Sequence, residues 1–569
     1  MKYSKRYIII SVVLAIVFWF KFYVLESDDV EVGKFRGGNL EAEIWYPLVA
    51  EDVNSKEIRL VIDNKEYTSE NYKFYMDENR NIMVPVAVLR DLLNCSAHMY
   101  EESYLMVEKH NLSATITVDE LQADSTGEKV NLVSPLTNID GAYYVGLQDL
   151  SQMLGYSYSF SFEENKLTAA DTAENINALP AKYDLRERLR VSSIRNQGRY
   201  GTCWAFGALT AMESALLPES TYLFSVDHMS MNNSFQMTQF DGGEYTMGMA
   251  YLSAWQGPVY EKDDPYGDGR SDDTLRPVKH VQEMRIIASK DISAIKNAVF
   301  KYGGVQTSLY SSIQDPTSSS KHYNSVTNSY CYIGTARPNH EVVIIGWDDN
   351  YSKDNFSVPL EGDGAFICQN SWGSEFGDNG IFYVSYYDTN IGTHNVVYTR
   401  IDDVDNYDHI YQSDLCGWVG KLGYEKESMY GANVFTAKSD EEVVAAAFYA
   451  TAPDTKYKIF MVSDFEDETS FENKVLMAEG TVEDAGYYTI DFKDAVAVDK
   501  GERYAIVLYV YTPGATHPLA IEYDSGDKFL EKIDLEDGEG YISFAGNQFI
   551  NVKEKQDCNI CIKAFTNDR

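Results

Sequence analysis

Short β-like apolar runs fill the C-terminal third of the chain. From residue 406 onward, Val443–Tyr449, Tyr457–Val462, Tyr487–Phe492 and Tyr504–Tyr511 are divided by turn clusters such as Ala452-Pro453-Asp454, Asp484-Ala485-Gly486 and Pro513-Gly514. Regularly spaced short strands predict a β-sandwich over 406–569. Between 173 and 405 the texture is helical first and strand-like later. A helix is predicted near Gly201 to Leu217, with Cys203, Phe206, Leu209, Met212 and Leu216 on one face, and apolar strand segments follow Gly303. That order predicts two packed lobes. Upstream, over 58–172, a pattern repeats at an offset of 61 residues: Val84 and Leu92-Leu93-Asn94 are matched by Val145 and Met153-Leu154-Gly155. Each copy has a β-like lead-in (Asn81–Val84; Ala142–Val145) and a short helix (Val86–Leu93; Leu147–Leu154) closed by Asn94 or Gly155. An acid-containing turn and a further strand follow (Glu101–Val107; Glu163–Ala169). The whole reads as an α+β multidomain chain.

The amino-terminal pattern bears on the compartment. Lys2, Lys5 and Arg6 precede an apolar run from Tyr7 to Phe20, then Lys21 and Phe22–Leu25, after which Glu26, Asp28 and Asp29 turn the chain acidic. This predicts an export signal over 1–25, with an uncleaved membrane anchor (residues 7–25) favoured over a cleaved peptide because no small-x-small site follows. An acidic linker, 26–57, comes next. The expected location is the cell surface, or the extracellular space if the segment is removed.

Charge and cysteine count narrow the function. The 569 residues carry 48 basic and 87 acidic side chains, a formal charge of -39 that would repel a phosphate backbone, so nucleic acid is excluded as a partner. Seven cysteines are too few for a disulfide scaffold, and their odd number leaves at least one thiol to explain. No histidine or cysteine cluster with metal spacing occurs in the repeats, and no metal or cofactor is expected. Asp348-Asp349-Asn350 with Asp354 reads as a solvated loop, because no glycine and bidentate glutamate complete a calcium pattern.

The chemistry concentrates in three segments. In Asn196-Gln197-Gly198-Arg199-Tyr200-Gly201-Thr202-Cys203-Trp204-Ala205-Phe206, the thiol of Cys203 opens the predicted helix, whose positive end is expected to lower its pKa. Gln197 can aim its amide at the same place and, with the Cys203 N–H, donate to an oxyanion. A thiolate nucleophile needs a base. His340 opens the apolar strand His340-Glu341-Val342-Val343-Ile344-Ile345-Gly346, and Asn370, in Gln369-Asn370-Ser371-Trp372-Gly373, can hold one imidazole nitrogen so that the other faces the thiol, with Trp372 shielding that bond from water.

Gln197-Gly198, Gly201 to Phe206, Asn339-His340, and Asn370-Ser371-Trp372-Gly373 with Gly377 to Gly380 are similar to the signatures of papain-family cysteine proteases. His340 lies 137 residues after Cys203, within the separation of roughly 130 to 150 residues found in that family. Asn370 lies 167 residues after Cys203, and the excess falls in a polar stretch between Asp348 and Gly362 that reads as a surface-loop insertion. The resemblance implies a two-lobed catalytic domain over 173–405, a helical lobe plus a β-barrel-like lobe. It implies Cys203 as nucleophile, His340 as base then acid, Asn370 as orienter and Gln197 as oxyanion donor. Asp241-Gly242-Gly243 resembles the glycine pair along which a substrate backbone lies, which gives Gly242 and Gly243, beside Trp372 and Asn339, as substrate contacts. Tyr200 stands where the family often has a disulfide cysteine, so that bridge is absent, and no helical inhibitory propeptide signature is found. The pattern over 58–172 resembles the copper amine oxidase N-terminal-like repeat and is expected to be a stalk. Residues 406–569 look like the lectin-like domain of exported clostridial proteases.

Together these imply an exported cysteine endopeptidase with protein or peptide substrates and, through its last domain, possible cell-surface glycans. The alternatives are a cell-wall peptide amidase or transpeptidase with the same dyad, and a glycan-binding adhesin with a silent protease domain. Retention of all four catalytic residues and of the glycine pair favours the endopeptidase. Cys368 is expected to be buried, and Cys558 and Cys561 to be structural or locally bridged; pairing among Cys331, Cys416, Cys558 and Cys561 is left open.

Overall fold

The structure, a computed structural model, describes residues 29–30, 59–62, 65–67, 74–77, 79 and 81–569, apart from 110–111, 140, 162–165, 172–178, 314–317, 527–532 and 555. The apolar segment 7–25 lies outside the described residues, among which no helix is long and apolar enough to cross a membrane. The chain divides into two compact units, 1–180 and 181–569.

In the first unit the two lead-ins are neighbouring strands, Ile82–Pro85 and Ala142–Gly146. They pair antiparallel with Val84 opposite Val145, so the positions related by the 61-residue offset face each other across the pair. A short helix follows each strand (Val86–Asp91; Leu147–Leu154), and the second ends on Gly155 in the left-handed region at φ 71°. Val88, Leu89, Leu150 and Leu154 of these helices share a core with Leu105, Val107 and Ile116. The strand expected from Glu101 begins later, at Tyr104, because Glu101 and Glu102 adopt positive φ in the turn of a hairpin between Ser96–Tyr100 and Tyr104–Lys109. Three further strands, Leu112–Thr117, Gln122–Ser125 and Glu128–Asn131, extend that hairpin into a five-stranded sheet that the repeat pattern does not foretell.

In the second unit the helix Cys203–Leu216 sits under a long mixed sheet. It is not amphipathic in the expected sense: every residue from Cys203 to Ser214 is buried, so the face read from the sequence is one of several apolar faces. Glu213 is the price of that enclosure. Its carboxylate receives Arg195 Nη2 at 3.0 Å, the Phe224 amide at 2.8 Å and the Ser192 hydroxyl, so the buried charge is paired and hydrogen-bonded. The helix packs on the strands Val305–Leu309, His340–Asp348 and Asn395–Asp402.

The last domain is a sandwich. One layer is the six-stranded sheet built on Ser428–Thr436, Thr455–Val462 and Arg503–Tyr511. The other contains Glu441–Ala450, Ala485–Val498 and Ile562–Asp568, and Met429, Phe448, Tyr488, Ile506 and Leu508 lie in the core between the layers. This second layer does not stop at the domain boundary. His280–Ile287 of the preceding domain pairs with Asn395–Asp402 on one side and with Ala485–Val498 on the other, with Met284 opposite Tyr487 and Ile286 opposite Ala485. One sheet therefore runs through both domains. All seven cysteines are buried and none is in a disulfide, so Cys558 and Cys561 form no local bridge; the Cys561 thiol donates to the Gly417 carbonyl at 3.3 Å.

Gly486 makes the junction possible. It sits at φ +148°, and a Cβ there would run into the Met284 carbonyl. Gly486→Val should cost about 2 kcal/mol or more and uncouple the domains. Calorimetry of residues 181–569 is expected to show one unfolding transition for the unaltered chain and two for the variant; a single unshifted transition would contradict this role of the junction.

Candidate active site

Backbone pairing brings the three sequence segments together. The Gln197 amide donates to the Ser371 carbonyl at 2.8 Å and the Gly373 amide to the Arg195 carbonyl at 3.0 Å, with Asn196 bridged to Trp372, so the stretch before Cys203 lies alongside the stretch after Asn370. On the other side the Gly201 amide donates to the Gln239 carbonyl at 2.7 Å. A Cβ at Gly201 would meet the Gly242 backbone at 2.8 Å, and one at Gly243 would collide with the Trp204 indole. Only glycine lets these loops approach so closely.

His340, Asn370 and Trp372 form one group. His340 Nε2 lies 2.8 Å from Asn370 Oδ1, and the same oxygen accepts the Ser371 amide at 2.8 Å. Because that amide can only donate, the oxygen is the acceptor for both, Nε2 carries the hydrogen, and Nδ1 is left free. The Trp372 ring stacks on the imidazole at 4.7 Å between centroids, and Phe376 meets the indole edge-on at 5.0 Å. Asn370 and His340 are buried.

Cys203 is buried too, with 8% of its surface exposed. The backbone of Glu341, the residue after His340, hydrogen-bonds its sulfur. Burial is the largest influence on the thiol and pushes it up to about 12. The Glu341 carboxylate adds to this, and the backbone groups of Glu341, Trp204 and Cys203, which hydrogen-bond the sulfur, oppose it. The lowering expected from the helix terminus is thus outweighed by desolvation. Burial acts on His340 in the opposite sense and takes it down to about 4 against the bond to Asn370. Both shifts favour the neutral pair.

Gln197 is held more firmly than a swinging amide. Its Nε2 donates to the Tyr200 carbonyl at 2.8 Å and its Oε1 accepts from Ser371 Oγ at 2.6 Å, which leaves one N–H for another acceptor. Asn339 spends its side chain on the Ser311 backbone, accepting from the amide at 2.7 Å and donating to the carbonyl at 3.1 Å, and so pins a loop beside His340. Tyr200 packs on Phe240 at 4.9 Å and on Tyr266 at 6.2 Å. Tyr266 meets Phe206 edge-on at 4.9 Å, shares a 2.7 Å hydrogen bond with Thr202 and donates to the Gln197 carbonyl at 2.9 Å. This aromatic clamp braces the loop before Cys203.

Two participants escaped the sequence reading, Tyr266 and Glu341. The only hint of Glu341 was an acid in an otherwise apolar strand. Its buried carboxylate accepts Gln306 Nε2 at 2.8 Å and Ser308 Oγ at 3.1 Å, and burial raises it to about 7. Gln306 also reaches the Trp204 carbonyl at 3.2 Å, which ties the histidine strand to the first turn of the helix. Raised from 4.5, Glu341 is neutral below about pH 7 and an anion above it, where its charge opposes a thiolate on Cys203. Glu341→Gln should remove that opposition. The expected result is faster iodoacetamide alkylation of Cys203 above pH 7, with little change below pH 6; identical pH profiles would rule out the electrostatic coupling.

Comparison with known proteins agrees with this geometry. Residues 179–401 match the papain family cysteine protease model and residues 410–566 the lectin like domain model. The chain is 25% identical over 322 residues to cysteine proteinase 1 of Zea mays, an alignment that covers 51% of this chain and 82% of that protein. It is similar to the clostridial cysteine protease Cwp84 after propeptide cleavage, with a TM-score of 0.62, 26% identity, and coverage of 68% of this chain and 99% of the other. A second structure, of the cysteine protease and lectin-like domains of Cwp84, a surface layer associated protein of Clostridium difficile, gives a TM-score of 0.60 at 25% identity and covers 68% and 89% of the two chains. The residues from 179 to 401 form a papain-family cysteine protease domain, and those from 410 to 566 a lectin-like domain.

Proposed function

We propose that the protein is an exported endopeptidase that hydrolyses peptide bonds through an acyl-enzyme on Cys203. The observation that carries this reading is the tautomer of His340. With Nε2–H committed to Asn370, Nδ1 is the atom available to take the Cys203 proton. As the thiol attacks the carbonyl carbon, its proton passes to His340 and the carbonyl oxygen becomes an oxyanion, which the Cys203 amide and the uncommitted Gln197 N–H stabilise. His340 then returns the proton to the leaving amine, and a water activated by the same imidazole hydrolyses the thioester. The substrate backbone lies along Gly242 and Gly243. We further assign residues 58–172 to a stalk and the lectin-like domain to cell-surface glycans. The description of Cwp84 as surface layer associated supports an outer-surface location.

Labelling with a thiol-directed epoxide and assay of a peptide substrate test this. Cys203→Ala should lose both labelling and turnover, and Asn370→Ala should reduce kcat by about a hundredfold, because the imidazole is no longer held in one tautomer. Turnover retained by Cys203→Ala would end the reading.

The acid limb of the pH profile follows from His340. Below its folded pKa of about 4 a second proton produces an imidazolium beside a thiol, and no base remains; above it the neutral imidazole can accept the thiol proton. Activity should therefore persist well below pH 6.5 and fall only as the pH approaches about 4. A half-maximum near 6.5 would show that His340 is not desolvated in the working enzyme.

A further inference from the structure

The lectin-like domain closes one side of a cavity of about 440 Å³ whose other side belongs to the protease. Tyr245, Met249 and His394 face it from the protease, and Trp418, Tyr449 and Pro453 from the lectin-like domain. Its floor is the interdomain sheet itself, since the paired residues Ile286 and Ala485 are both in its wall. The cavity is thus preformed by strand pairing and needs no closure of one domain on the other. In a chain of formal charge -39 its lining holds no aspartate, glutamate, lysine or arginine; His394 is the one titratable base.

One ring pair in the cavity wall connects to the residues around Cys203. Tyr245 and His394 lie 5.2 Å apart between centroids. Tyr245 comes two residues after Gly243, and its phenol feels the charges of Glu244 and Glu341 after the larger effect of burial. His394 Nδ1 lies 3.2 Å from Ser308 Oγ, and Ser308 bonds Glu341, whose backbone reaches the Cys203 sulfur.

We infer that this cavity is a substrate subsite built jointly by the two domains, and that it takes an apolar or aromatic side chain of a peptide whose scissile bond lies at Cys203. The inference rests on the endopeptidase reading. Aromatic and aliphatic walls without charged groups suit such a side chain. They suit a sugar less well, because its ring of hydroxyls would find few partners beyond Thr246, Ser289, Thr393, Thr451 and His394. On this view the lectin-like domain sets which polypeptides are cut.

The test uses the full chain, a short fluorogenic peptide that occupies only the residues next to the scissile bond, and extended peptides in which a phenylalanine is moved along the sequence. Two variants probe the wall: Trp418→Ala enlarges the cavity, and Ala452→Trp fills it from a partly exposed loop position. For both, kcat/KM on the best extended peptide should fall about tenfold, mainly through KM, while the short peptide changes by less than about twofold. Ala452→Trp decides the matter if Trp418→Ala does not fold. Three outcomes overturn the subsite: the extended peptide is unaffected by Ala452→Trp, both peptides lose equally in a folded variant, or the variants lose glycan binding with peptide cleavage unchanged. If the unaltered enzyme cleaves neither peptide, the endopeptidase reading itself fails; cleavage of the short peptide with indifferent variants removes the subsite alone.

Discussion

The contact between the helix that starts at Cys203 and the strand that starts at His340 tolerates no isolated charge, and most of the active site follows from that. Taking a single ion out of water costs several kcal/mol. Each ionisable group here is therefore neutral, paired or tied to several donors. Glu213 holds Arg195, Glu341 is held by two neutral donors, and burial holds Cys203 and His340 toward their neutral forms. In the proposed mechanism a single proton transfer from Cys203 to His340 converts a neutral pair into an ion pair, in which neither charge is left alone. The Asn370 bond fixes which nitrogen can receive that proton, and Trp372 keeps water from competing for the bond.

The same enclosure explains the scaffold around the pair. A helix buried on all sides has to be met by protein on all sides, and the strands Val305–Leu309, His340–Asp348 and Asn395–Asp402 supply one of those surfaces. Asn395–Asp402 is paired in turn with His280–Ile287, and that strand with Ala485–Val498 of the lectin-like domain. The backbone hydrogen bonds are therefore continuous from the histidine strand to the sandwich. A displacement of the lectin-like domain would have to break main-chain pairing, which is more costly than sliding a side-chain interface.

The parts legible from sequence were those whose chemistry is local. Cys203 at a helix start, His340 at the start of an apolar strand and Asn370 before an indole each carry their signal within ten residues, and the structure draws the three segments together. The sandwich strands were legible for the same reason, being alternating runs between turns. What escaped depends on pairing over long separations. Nothing near residue 283 announces that its strand will meet residues 485 to 488, and Gly486 reads as an ordinary turn glycine. Glu341 was visible as a charge in an apolar strand, but its role depends on Gln306 and Ser308, more than 30 residues away. The pKa of Cys203 was misjudged for a related reason: the helix terminus is local and legible, whereas burial is a property of the assembled domain and outweighs it.

The missing disulfide shows how an equivalent constraint can be met by different chemistry. The loop before Cys203 has to lie against the glycine pair, since Gly201 and Gly242 nearly touch. A covalent bridge would achieve this by restricting the unfolded chain. Here Tyr200 packs between Phe240, beside the glycines, and Tyr266, which bonds both Thr202 and the Gln197 carbonyl, while Arg199 lies over the rings of Tyr200 and Phe240 at 5.6 and 5.7 Å. Such a clamp acts in the folded state through ring burial and two hydrogen bonds, and it works without an oxidising environment. Phe240 remains 64% exposed, so this edge of the clamp is open to solvent.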